Sequence, residues 1–336
     1  MAATVSLMSL SPVDHTMKCV SSPVTSMSSQ STAESGSESH AFVTLVMKSD
    51  KYMAGALVLA QSLRNNRTNS SLVCMITHDI SVRAAKVLKK WYDFVWTVPY
   101  IRQRCVTFKT RRQRDLYEDW IEESFTKWNC LNHEMFGRFD KVLFIDADMM
   151  VANNCDHQLF GLDPPAMTFS LPWAKPYCPH GIDNPYGELR HGITVDVDLI
   201  KRGFHTFLGI GSLVLVRPDQ RVFNQMLKLL RNQMFFGSKE CFSGFDEQLI
   251  CATYVSLNQS FRHIHQCYNW SVSKWEWLSI AGEGDTHPKI VHFYGDQKPW
   301  YSSRNFQWSD TIEWWTIADQ IIASDDSTRR FFELQF

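Results

Sequence analysis

The sequence predicts an α/β protein built on a mostly parallel, Rossmann-like sheet with flanking helices. Three short β-rich runs, at residues 42–47, 72–77 and 94–98, alternate with amphipathic segments of helical period. This alternation requires crossover connections, which make neighbouring strands parallel and place helices on both faces of the sheet. Ligands of such sheets bind beyond the carboxyl ends of the strands. We therefore expect functional residues where strands end.

The remaining elements follow the same alternation. Apolar residues at helical spacing predict a helix over residues 52–64, and Ser81 is placed to cap a second helix that ends at Trp91. A longer helix is expected over about residues 115–136. Later strands are predicted at 141–145, 212–216 and 289–295, with helices from the end of the 212–216 strand to about 235 and from residue 243 onward.

The composition is that of an ordinary globular protein and excludes several classes. Lys and Arg number 34 against 35 Asp and Glu, so the formal charge is -1 and a basic surface for nucleic acid is not expected. Hydrophobic residues make up 44% of the 336, enough for a large core. The nine cysteines form no C-x-x-C pair and are odd in number, which argues against a zinc ribbon and against a closed disulfide framework.

Nothing in the sequence predicts secretion or membrane insertion. No uncharged apolar window of about 18 residues occurs. The first 20 residues contain no basic segment followed by an apolar one, as a signal peptide would. We therefore expect no transmembrane segment and a cytoplasmic protein.

The first 40 residues differ from the rest in composition. They contain 12 serines and only isolated apolar residues. Such a segment cannot bury enough apolar surface to offset the entropy lost on ordering. It predicts a disordered Ser-rich tail at residues 1–40, followed by a folded domain over 41–336. A phosphorylated regulatory arm is the alternative interpretation.

The most informative segment is 141–148, an apolar strand that ends in Asp146 and Asp148. Residues two apart on an extended chain point the same way, so the two carboxylates repel each other. Hard oxygen ligands of this kind suit Mn²⁺ or Mg²⁺ bridging a diphosphate. No G-x-G-x-x-G or P-loop motif follows the first strand, so phosphate must be held in another way. A strand end capped by Asp, without any metal, is the plainer alternative.

Further polar residues are expected at the same edge of the sheet. Asp246 lies near the start of a predicted helix, where the helix dipole favours a carboxylate. His292 ends a predicted strand, and Lys298 follows it. One His, two Asp and a Lys that converge on a diphosphate would form a metal-assisted transfer site.

Four segments resemble the glycogenin and galactinol synthase family of retaining nucleotide-sugar transferases, glycosyltransferase family 8. In the family's order they are residues 41–45 with 55–59, 144–148, 244–248 and 292–300, and the last reproduces the family's H-F-x-G-x-x-K-P-W in full. The resemblance extends from residue 41 to about 315. It implies a single catalytic domain of GT-A fold that uses a UDP-sugar as donor.

The resemblance also implies roles for individual residues. The metal ligands would be Asp146, Asp148 and His292, holding Mn²⁺ or Mg²⁺. The catalytic residues beside the donor sugar would be Lys127, Asp246 and Glu247. The nucleotide-sugar contacts would be Thr44 and Tyr52 on uracil, Asp146 and Gly211, and Gly295 and Lys298 on the β-phosphate.

Three positions depart from the family. Gly209 replaces an Asn that contacts the sugar, and Glu247 replaces the Gln of the family's D-Q pair. The acceptor Tyr of glycogenin, 17 residues before the metal His, corresponds to Trp275. An indole ring offers no hydroxyl, so self-glucosylation at that position is not expected.

The resemblance thus implies a retaining, Mn²⁺-dependent transferase that moves a hexosyl group, with glucose the expected sugar, from UDP to a sugar, polyol or glycan acceptor. Attack from the face of the leaving group and double displacement both stay open as routes to retention. The alternative, motivated by Gly209 and Glu247, is a nucleotide-sugar-binding protein of the same fold without turnover.

Three further features have open interpretations. Residues 164–208 contain aromatic and Pro-rich sequence that would either recognise the acceptor or only cover the site. Within them, His180 and His191 favour a solvated surface over a second metal site. The basic segment 101–114 would bind an anionic substrate or form a solvated face. A cluster of tryptophans would belong to the core, to a homodimer contact or to a glycan platform: Trp270, Trp275 and Trp277.

Overall fold

The computed structural model describes most of the chain from residue 38 onward. The described residues are 38–105, 111, 114–115, 118–169, 190–203, 209–232, 245–271, 288–295, 298–301, 304 and 308–333. Expectations for residues outside these ranges stay predictions. They include the Ser-rich tail, most of the expected acceptor segment and Trp275.

The first part of the fold alternates strands and helices as predicted. β1 (His40–Val46), β2 (Ser71–Ile76) and β3 (Phe94–Thr97) are separated by α1 (Met53–Asn65) and α2 (Val82–Trp91). The Ser81 hydroxyl accepts the Ala84 N–H at 3.1 Å and caps α2 as expected. Ser39, just before β1, donates its N–H to Asp140 Oδ2 at 2.8 Å. The folded part therefore includes the last residues of the segment expected to be a tail.

The segment expected to form one helix over 115–136 is interrupted. It contains a 3-10 helix (Ile121–Leu131) and then the short α3 (His133–Phe136). Asn132 between them has extended backbone angles, and its side chain accepts the Glu134 N–H at 3.0 Å. The prediction of a continuous helix is wrong because this Asn caps a new helix instead of extending the previous one.

The remaining elements build the rest of the sheet and its cover. In chain order they are β4 (Lys141–Ile145), β5 (Met149–Val151), α4 (Asp156–Phe160), β6 (Ala166–Phe169), β7 (Thr194–Val195), α5 (Val197–Gly203), β8 (Gly209–Val216), α6 (Gln220–Arg231), α7 (Phe245–Ser256), β9 (Phe261–His263), β10 (Trp270–Ser271), β11 (Ile290–His292) and α8 (Ser309–Ser324). Short 3-10 helices lie at Asp50–Tyr52, Gln266–Tyr268, Pro299–Tyr301 and Asp326–Phe331. β8 begins at Gly209, earlier than the predicted residue 212.

The large sheet confirms the predicted fold class. Its strand order, over the described residues, is β3-β2-β1-β4-β8-β6-β9-β7. The pairs β3–β2, β2–β1 and β1–β4 are parallel, and so is the pair β6–β9. β8 runs antiparallel between β4 and β6, and β7 runs antiparallel to β9. The carboxyl ends of β1 and β4 consequently lie side by side.

A second, smaller sheet joins the end of the chain to the turn after β4. Its strand order is β10-β11-β5. β11 pairs antiparallel with β5, so that His292 lies opposite Met149. Because β5 follows Asp148 directly, this pairing brings a strand from the last part of the chain next to the D-x-D motif.

Apolar side chains form one core on each face of the large sheet. Successive residues of β1 alternate between them, with Phe42 in the core that contains α1 and Val43 in the core that contains Trp128. Helices therefore cover both faces, as the sequence predicts. None of the described helices is long and apolar enough to cross a membrane.

Helix α1 approaches the D-x-D turn closely at Gly55. A Cβ atom on this residue would touch the carbonyl oxygen of Ala147 and lie 2.8 Å from Trp300 Cη2. Any side chain at position 55 would push α1 away from the backbone between the two Asp residues. The close packing of helix, turn and indole thus depends on a glycine here.

Strand β9 ends in a fully buried histidine. His263 Nδ1 accepts the Phe169 N–H at 3.3 Å, and its Nε2 has no partner among the described residues. Burial, with a smaller effect from the charges of His265 and His191, lowers the pKa of His263 to about 3. The imidazole is therefore neutral in the folded protein over most of the acidic range.

We expect His263 to make the fold sensitive to acid. The ordinary pKa of His is about 6.5, so protons bind the unfolded chain first as the pH falls. The free energy of unfolding should then decrease from about pH 6.5 down to the folded pKa of about 3. Between pH 7 and 5, wild-type protein should lose about 2 kcal/mol more than His263→Asn, which keeps an acceptor but does not titrate.

Urea unfolding curves at each pH measure this difference. The variant His157→Asn serves as control, since His157 is exposed. It should follow the wild-type pH dependence. A His263→Asn protein that loses stability between pH 7 and 5 as steeply as wild type would contradict the assignment of acid sensitivity to His263.

Candidate functional site

The turn after β4 carries the two carboxylates of the D-x-D motif. The Asp146 N–H donates to Ser212 O on β8 at 2.9 Å, and the Met149 N–H donates to Asp146 O at 3.1 Å. Ligand atoms of the two carboxylates lie within 4.8 Å of each other. The two carboxylates thus lie near each other as expected, although a turn and not an extended backbone holds them there.

Strand β11 brings His292 to this turn. Its Nε2 lies 3.5 Å from Asp148 Oδ1. One ligand atom from each of Asp146, Asp148 and His292 can be chosen so that all lie within 4.8 Å of one another. The three residues expected to bind metal are therefore brought together from two different sheets.

The chemistry of this group fits a divalent cation. Two carboxylates and an imidazole are ligands that Mn²⁺ accepts, and the carboxylates also suit Mg²⁺. Burial raises the pKa of Asp146 to about 6; the charge of Lys127 opposes this shift, and that of Asp148 adds to it. A cation between the carboxylates would offset their repulsion and favour the ionised form of Asp146.

Lys298 is a buried cation beside Asp148. Its side chain is only 4% exposed, and its ammonium group contacts Asp148 Oδ2 and donates to Phe293 O at 2.6 Å. Burial alone would raise the pKa of Asp148, but the charge of Lys298, with a smaller effect from His292, outweighs burial and holds the pKa well below its usual range. Asp148 is therefore ionised at neutral pH.

Lys127 links Asp146 to a third carboxylate. Its Nζ lies 3.3 Å from Asp146 Oδ1 and 2.8 Å from Asp246 Oδ2, and it donates to Gly211 O at 3.4 Å. Burial alone would lower the pKa of Lys127, but the charges of Asp146 and Asp246 outweigh burial and raise it. Lys127 is thus a permanent cation between the D-x-D turn and α7.

Asp246 and Glu247 lie in the first turn of α7 and face β8. Glu247 Oε1 accepts the Gly211 N–H at 2.7 Å, and Trp128 Nε1 donates to Asp246 O at 3.1 Å. A Cβ on Gly211 would lie 2.6 Å from Glu247 Cγ and 3.3 Å from Asp246 Oδ2. A larger residue on β8 would separate the two elements, so the glycine allows the carboxylates to approach.

The described part of the site holds an excess of negative charge. Four carboxylates surround two ammonium groups: Asp146, Asp148, Asp246 and Glu247 against Lys127 and Lys298. Carboxylates withdrawn from water require compensating cations. The imbalance makes the site favourable for one divalent cation.

Aromatic residues border the Lys298 side of the site. Tyr52 lies edge-on to Trp300 with ring centroids 5.6 Å apart, and Lys298 Nζ lies 5.7 Å from the centroid of the Tyr52 ring. Burial, followed by the charge of Asp148, raises the pKa of Tyr52 well above its ordinary value. The structure therefore brings Tyr52 to the same site as the D-x-D motif.

The other expected contact residues differ in accessibility. Thr44 on β1 is 1% exposed and its hydroxyl has no partner among the described residues, whereas Leu45 beside it is partly exposed. A Cβ on Gly209 would meet the side chain of Met167, so this position lies inside the sheet. Gly295 has φ +77°, and no described atom lies within 4 Å of where its Cβ would be. Gly295 thus forms an open turn, while Thr44 and Gly209 are enclosed.

Two features of the site carry no clear sequence signal. Asn269 Oδ1 lies 3.1 Å from His292 Nδ1. Two tyrosines near the H-F-x-G-x-x-K-P-W motif are large exposed residues, Tyr294 at 51% and Tyr301 at 45%. The Tyr294 ring lies 5.8 Å from the His292 ring. The position of Tyr294 within the motif hints at this proximity, whereas nothing in the sequence indicates the contact of Asn269.

His191 makes structural contacts. Its Nε2 lies 3.1 Å from Gln158 O, and its Nδ1 accepts the His265 N–H at 3.3 Å. Both ring nitrogens are thus used within the fold, which favours a structural role over a second metal site. His180, the other histidine considered for such a site, lies outside the described residues.

The described part of the basic segment 101–114 also has a structural partner. The Arg102 guanidinium stacks 4.3 Å from the centre of the Tyr100 ring, and its Nε lies 3.3 Å from Glu123 Oε1. These contacts favour a structural role for Arg102 over binding of an anionic substrate. They leave the rest of the segment open as a binding surface for anions.

Comparison with known proteins gives relatives at modest identity. No protein-family model matches the chain. An uncharacterised protein of Acanthamoeba polyphaga mimivirus is 26% identical over 78% of this chain and 83% of its own length. Glycogenin-1 from mouse is 28% identical over 80% of this chain and 67% of its own length, and the human protein is 27% identical over 77% and 62%.

Solved structures share the fold at low sequence identity. The galactosyltransferase LgtC, in complex with donor and acceptor sugar analogs, superposes with a TM-score of 0.53 at 12% identity, covering 86% of this chain and 99% of that chain. The bifunctional glycosyltransferase WbbM gives a TM-score of 0.52 at 13% identity, covering 85% of this chain and 50% of the other. These superpositions establish a GT-A architecture.

The sequence relatives, the fold and the D-x-D turn all indicate a glycosyltransferase. Similarity to glycogenins extends over about four fifths of the chain. The described site is the Asp, Asp and His group at the carboxyl end of β4. The chain is therefore a glycosyltransferase of GT-A fold that resembles the glycogenins.

Proposed function

We propose that this protein is a retaining, metal-dependent hexosyltransferase that moves glucose from UDP-glucose to a separate sugar, polyol or glycan acceptor. The observation that carries the proposal is the group Asp146, Asp148 and His292 next to two buried lysines. A transferase of this kind must hold a diphosphate and stabilise it as it departs. The charges of the site are suited to both tasks.

The two D-x-D carboxylates and His292 would hold Mn²⁺, with Mg²⁺ as the alternative ion. When bound, such an ion supplies Lewis-acid stabilisation of the negative charge that develops on the departing phosphate. The excess of carboxylates over ammonium groups at the site supports this assignment.

Lys298 would contribute a second positive charge on the phosphate side. It is buried, it contacts Asp148, and Gly295 near it forms an open turn that leaves room for phosphate oxygens. A preorganised ammonium group is most effective where charge appears in the transition state. Tyr52, close to Lys298, would stack on uracil. Thr44 is too buried to contact the base directly and would only support the floor of the site.

Lys127, Asp246 and Glu247 would surround the donor sugar. In the transfer, the bond from the anomeric carbon to the β-phosphate oxygen breaks, and a bond from the acceptor oxygen to the same carbon forms. Asp246 would stabilise the positive charge on the sugar or orient the acceptor. The products are the glycosylated acceptor and UDP.

Retention is best explained by attack from the face that the phosphate leaves. The departing phosphate then accepts the proton of the acceptor hydroxyl. Double displacement would instead need a carboxylate to attack the sugar, and both candidates are engaged, Asp246 with Lys127 at 2.8 Å and Glu247 with the Gly211 N–H at 2.7 Å. Carboxylates bonded in this way are weaker nucleophiles.

The first prediction of the proposed function is that Mn²⁺ and UDP bind cooperatively and that this cooperativity requires Asp148. Two carboxylates and a His are too few ligands for tight binding of the ion without phosphate oxygens. Calorimetry should therefore show UDP binding about 10-fold or more tighter with Mn²⁺ present. Asp148→Ala should abolish this gain and lower kcat/KM by at least about 100-fold.

A matched control is Asp319→Ala, because Asp319 is an exposed carboxylate paired with Arg304. It should leave both measurements unchanged. Equal affinity of the wild-type protein for UDP with and without Mn²⁺ would contradict the assignment of Asp146, Asp148 and His292 as metal ligands. Metal-dependent UDP binding without any UDP release from UDP-sugars would support a binding protein over an enzyme.

The second prediction concerns the donor sugar. Asp246 and Glu247 place two carboxylates in the first turn of α7, so a negatively charged hexuronic acid should be rejected by repulsion. Wild-type protein should use UDP-glucose in preference to UDP-glucuronic acid. Glu247→Gln should reduce this preference by roughly 10-fold in kcat/KM, the effect of about 1.4 kcal/mol.

Glu134 is exposed, so Glu134→Gln controls for the loss of one negative charge. This variant should keep the wild-type preference for UDP-glucose over UDP-glucuronic acid. A UDP-release assay with both donors gives the ratios. If wild-type protein prefers UDP-glucuronic acid, or if Glu247→Gln leaves the ratio unchanged, the proposed role of Glu247 in selecting a neutral hexose is wrong.

The third prediction is that the protein does not glucosylate itself. Incubation with UDP-glucose and Mn²⁺ should leave its intact mass unchanged while UDP accumulates through hydrolysis or transfer to an added acceptor. The exposed Tyr294 lies close to His292, so it is the tyrosine to test. A series of hexose additions on wild-type protein that disappears in Tyr294→Phe would refute transfer to a separate acceptor.

A further inference from the structure

A buried hydrogen-bonded chain connects the two sheets behind the D-x-D motif. Asn269 Oδ1 lies 3.1 Å from His292 Nδ1, and Asn269 Nδ2 donates to Ser212 Oγ at 2.9 Å. The carbonyl oxygen of the same Ser212 accepts the Asp146 N–H at 2.9 Å. Asn269 and Ser212 are each only 3% exposed. The chain therefore joins His292 to the backbone of Asp146 in a region closed to water.

The backbone of Asn269 is held in place independently of this chain. It follows the 3-10 helix Gln266–Tyr268 and precedes β10. Its N–H donates to Gln266 O at 2.9 Å, and its carbonyl oxygen accepts from Gln266 Nε2 at 3.2 Å. The amide of Asn269 is consequently presented to His292 from a fixed position.

The direction of donation along this hydrogen-bonded chain indicates which ring nitrogen of His292 carries the proton. The other nitrogen then has the free electron pair. Asn269 Nδ2 faces Ser212, so the amide oxygen faces His292. An amide oxygen only accepts hydrogen bonds, so this orientation of Asn269 favours the His292 proton on Nδ1. The other nitrogen, Nε2, then carries the electron pair, and this is the atom that lies 3.5 Å from Asp148 Oδ1. Histidines that bind metals are commonly oriented in this way by a partner on the second nitrogen.

We infer that Asn269 is a positioning residue for the metal site, which holds His292 in the Nδ1–H tautomer and, through Ser212, in register with Asp146. The inference rests on the proposed function, since it assumes that the site binds a divalent cation. Without Asn269, His292 would be free to rotate or to place its proton on the ligating nitrogen. Affinity for the ion then falls although all three ligands are present.

The test compares three variants by their affinity for Mn²⁺ in the presence of UDP, measured from the electron paramagnetic resonance of unbound Mn²⁺. Asn269→Ala removes the partner and should weaken Mn²⁺ binding by about 10- to 100-fold. Asn269→Asp keeps an oxygen acceptor for Nδ1 and should stay within about 3-fold of wild type. Ser212→Ala removes only the support of the amide and should cause a smaller loss than Asn269→Ala.

The matched control is Asn66→Ala. The Asn66 amide donates to Ser62 O and Val151 O, at 2.9 Å each, and neither acceptor belongs to the metal site or to the hydrogen-bonded chain through Asn269. Its loss should lower Tm without changing Mn²⁺ affinity. The inference requires that Asn269→Ala lower Mn²⁺ affinity more than Asn66→Ala does for a similar loss of Tm. It also requires that Asn269→Asp bind Mn²⁺ nearly as tightly as wild type.

The outcomes separate this inference from the proposed function. If wild-type protein binds Mn²⁺ in an Asp148-dependent manner but Asn269→Ala binds it equally well, the positioning role is overturned and the proposed function stands. Equal losses in Asn269→Ala and Asn269→Asp would also overturn it, since acceptance from Nδ1 would then not matter. If wild-type protein binds no Mn²⁺, the proposed function itself fails.

Discussion

The repulsion among four carboxylates at the end of β4 is the constraint on which the rest of the site depends. Asp146, Asp148, Asp246 and Glu247 come from two elements and would drive each other apart without cations. Lys127 and Lys298 supply part of the compensation, and each is anchored to a backbone carbonyl, Gly211 O and Phe293 O. A buried charge that loses its partner is costly, so these residues stabilise the fold only as a set. The negative charge that remains is what suits the site to a divalent ion.

The architecture holds this charged group with short, direct connections. β8 runs antiparallel beside β4, so Ser212 and Gly211 reach the D-x-D turn and the start of α7. β11 pairs with β5 and delivers His292 from the far end of the chain. Two glycines permit the close approaches, Gly55 under the turn and Gly211 against Glu247. The sheets thus act as rigid supports, and the polar side chains at their edges need little further adjustment to face one another.

Two features of this site bear on the substrates proposed for it. A carboxylate at position 247 is bound to the backbone of β8, which adds negative charge where the donor sugar is proposed to lie. Tyr294 and Tyr301 are exposed within and next to the motif that carries His292 and Lys298. Exposed aromatic faces, together with the negative charge beside the proposed donor site, support the proposal of a neutral acceptor.

The sequence by itself determined the fold class and the strand that ends in the D-x-D motif, whereas the residues expected around that motif came mainly from the resemblance to a known family. The first two are local properties, because the apolar pattern of a strand depends only on neighbours in the chain. The tertiary structure decided what local patterns do not contain. It interrupted the helix expected over 115–136 at Asn132, enclosed Thr44 inside the sheet, and paired Asp148 with Lys298 from 150 residues away. It also decided that Asn269 contacts His292, since an Asn in a loop takes its role from whichever side chain the packing of two sheets brings within hydrogen-bonding distance.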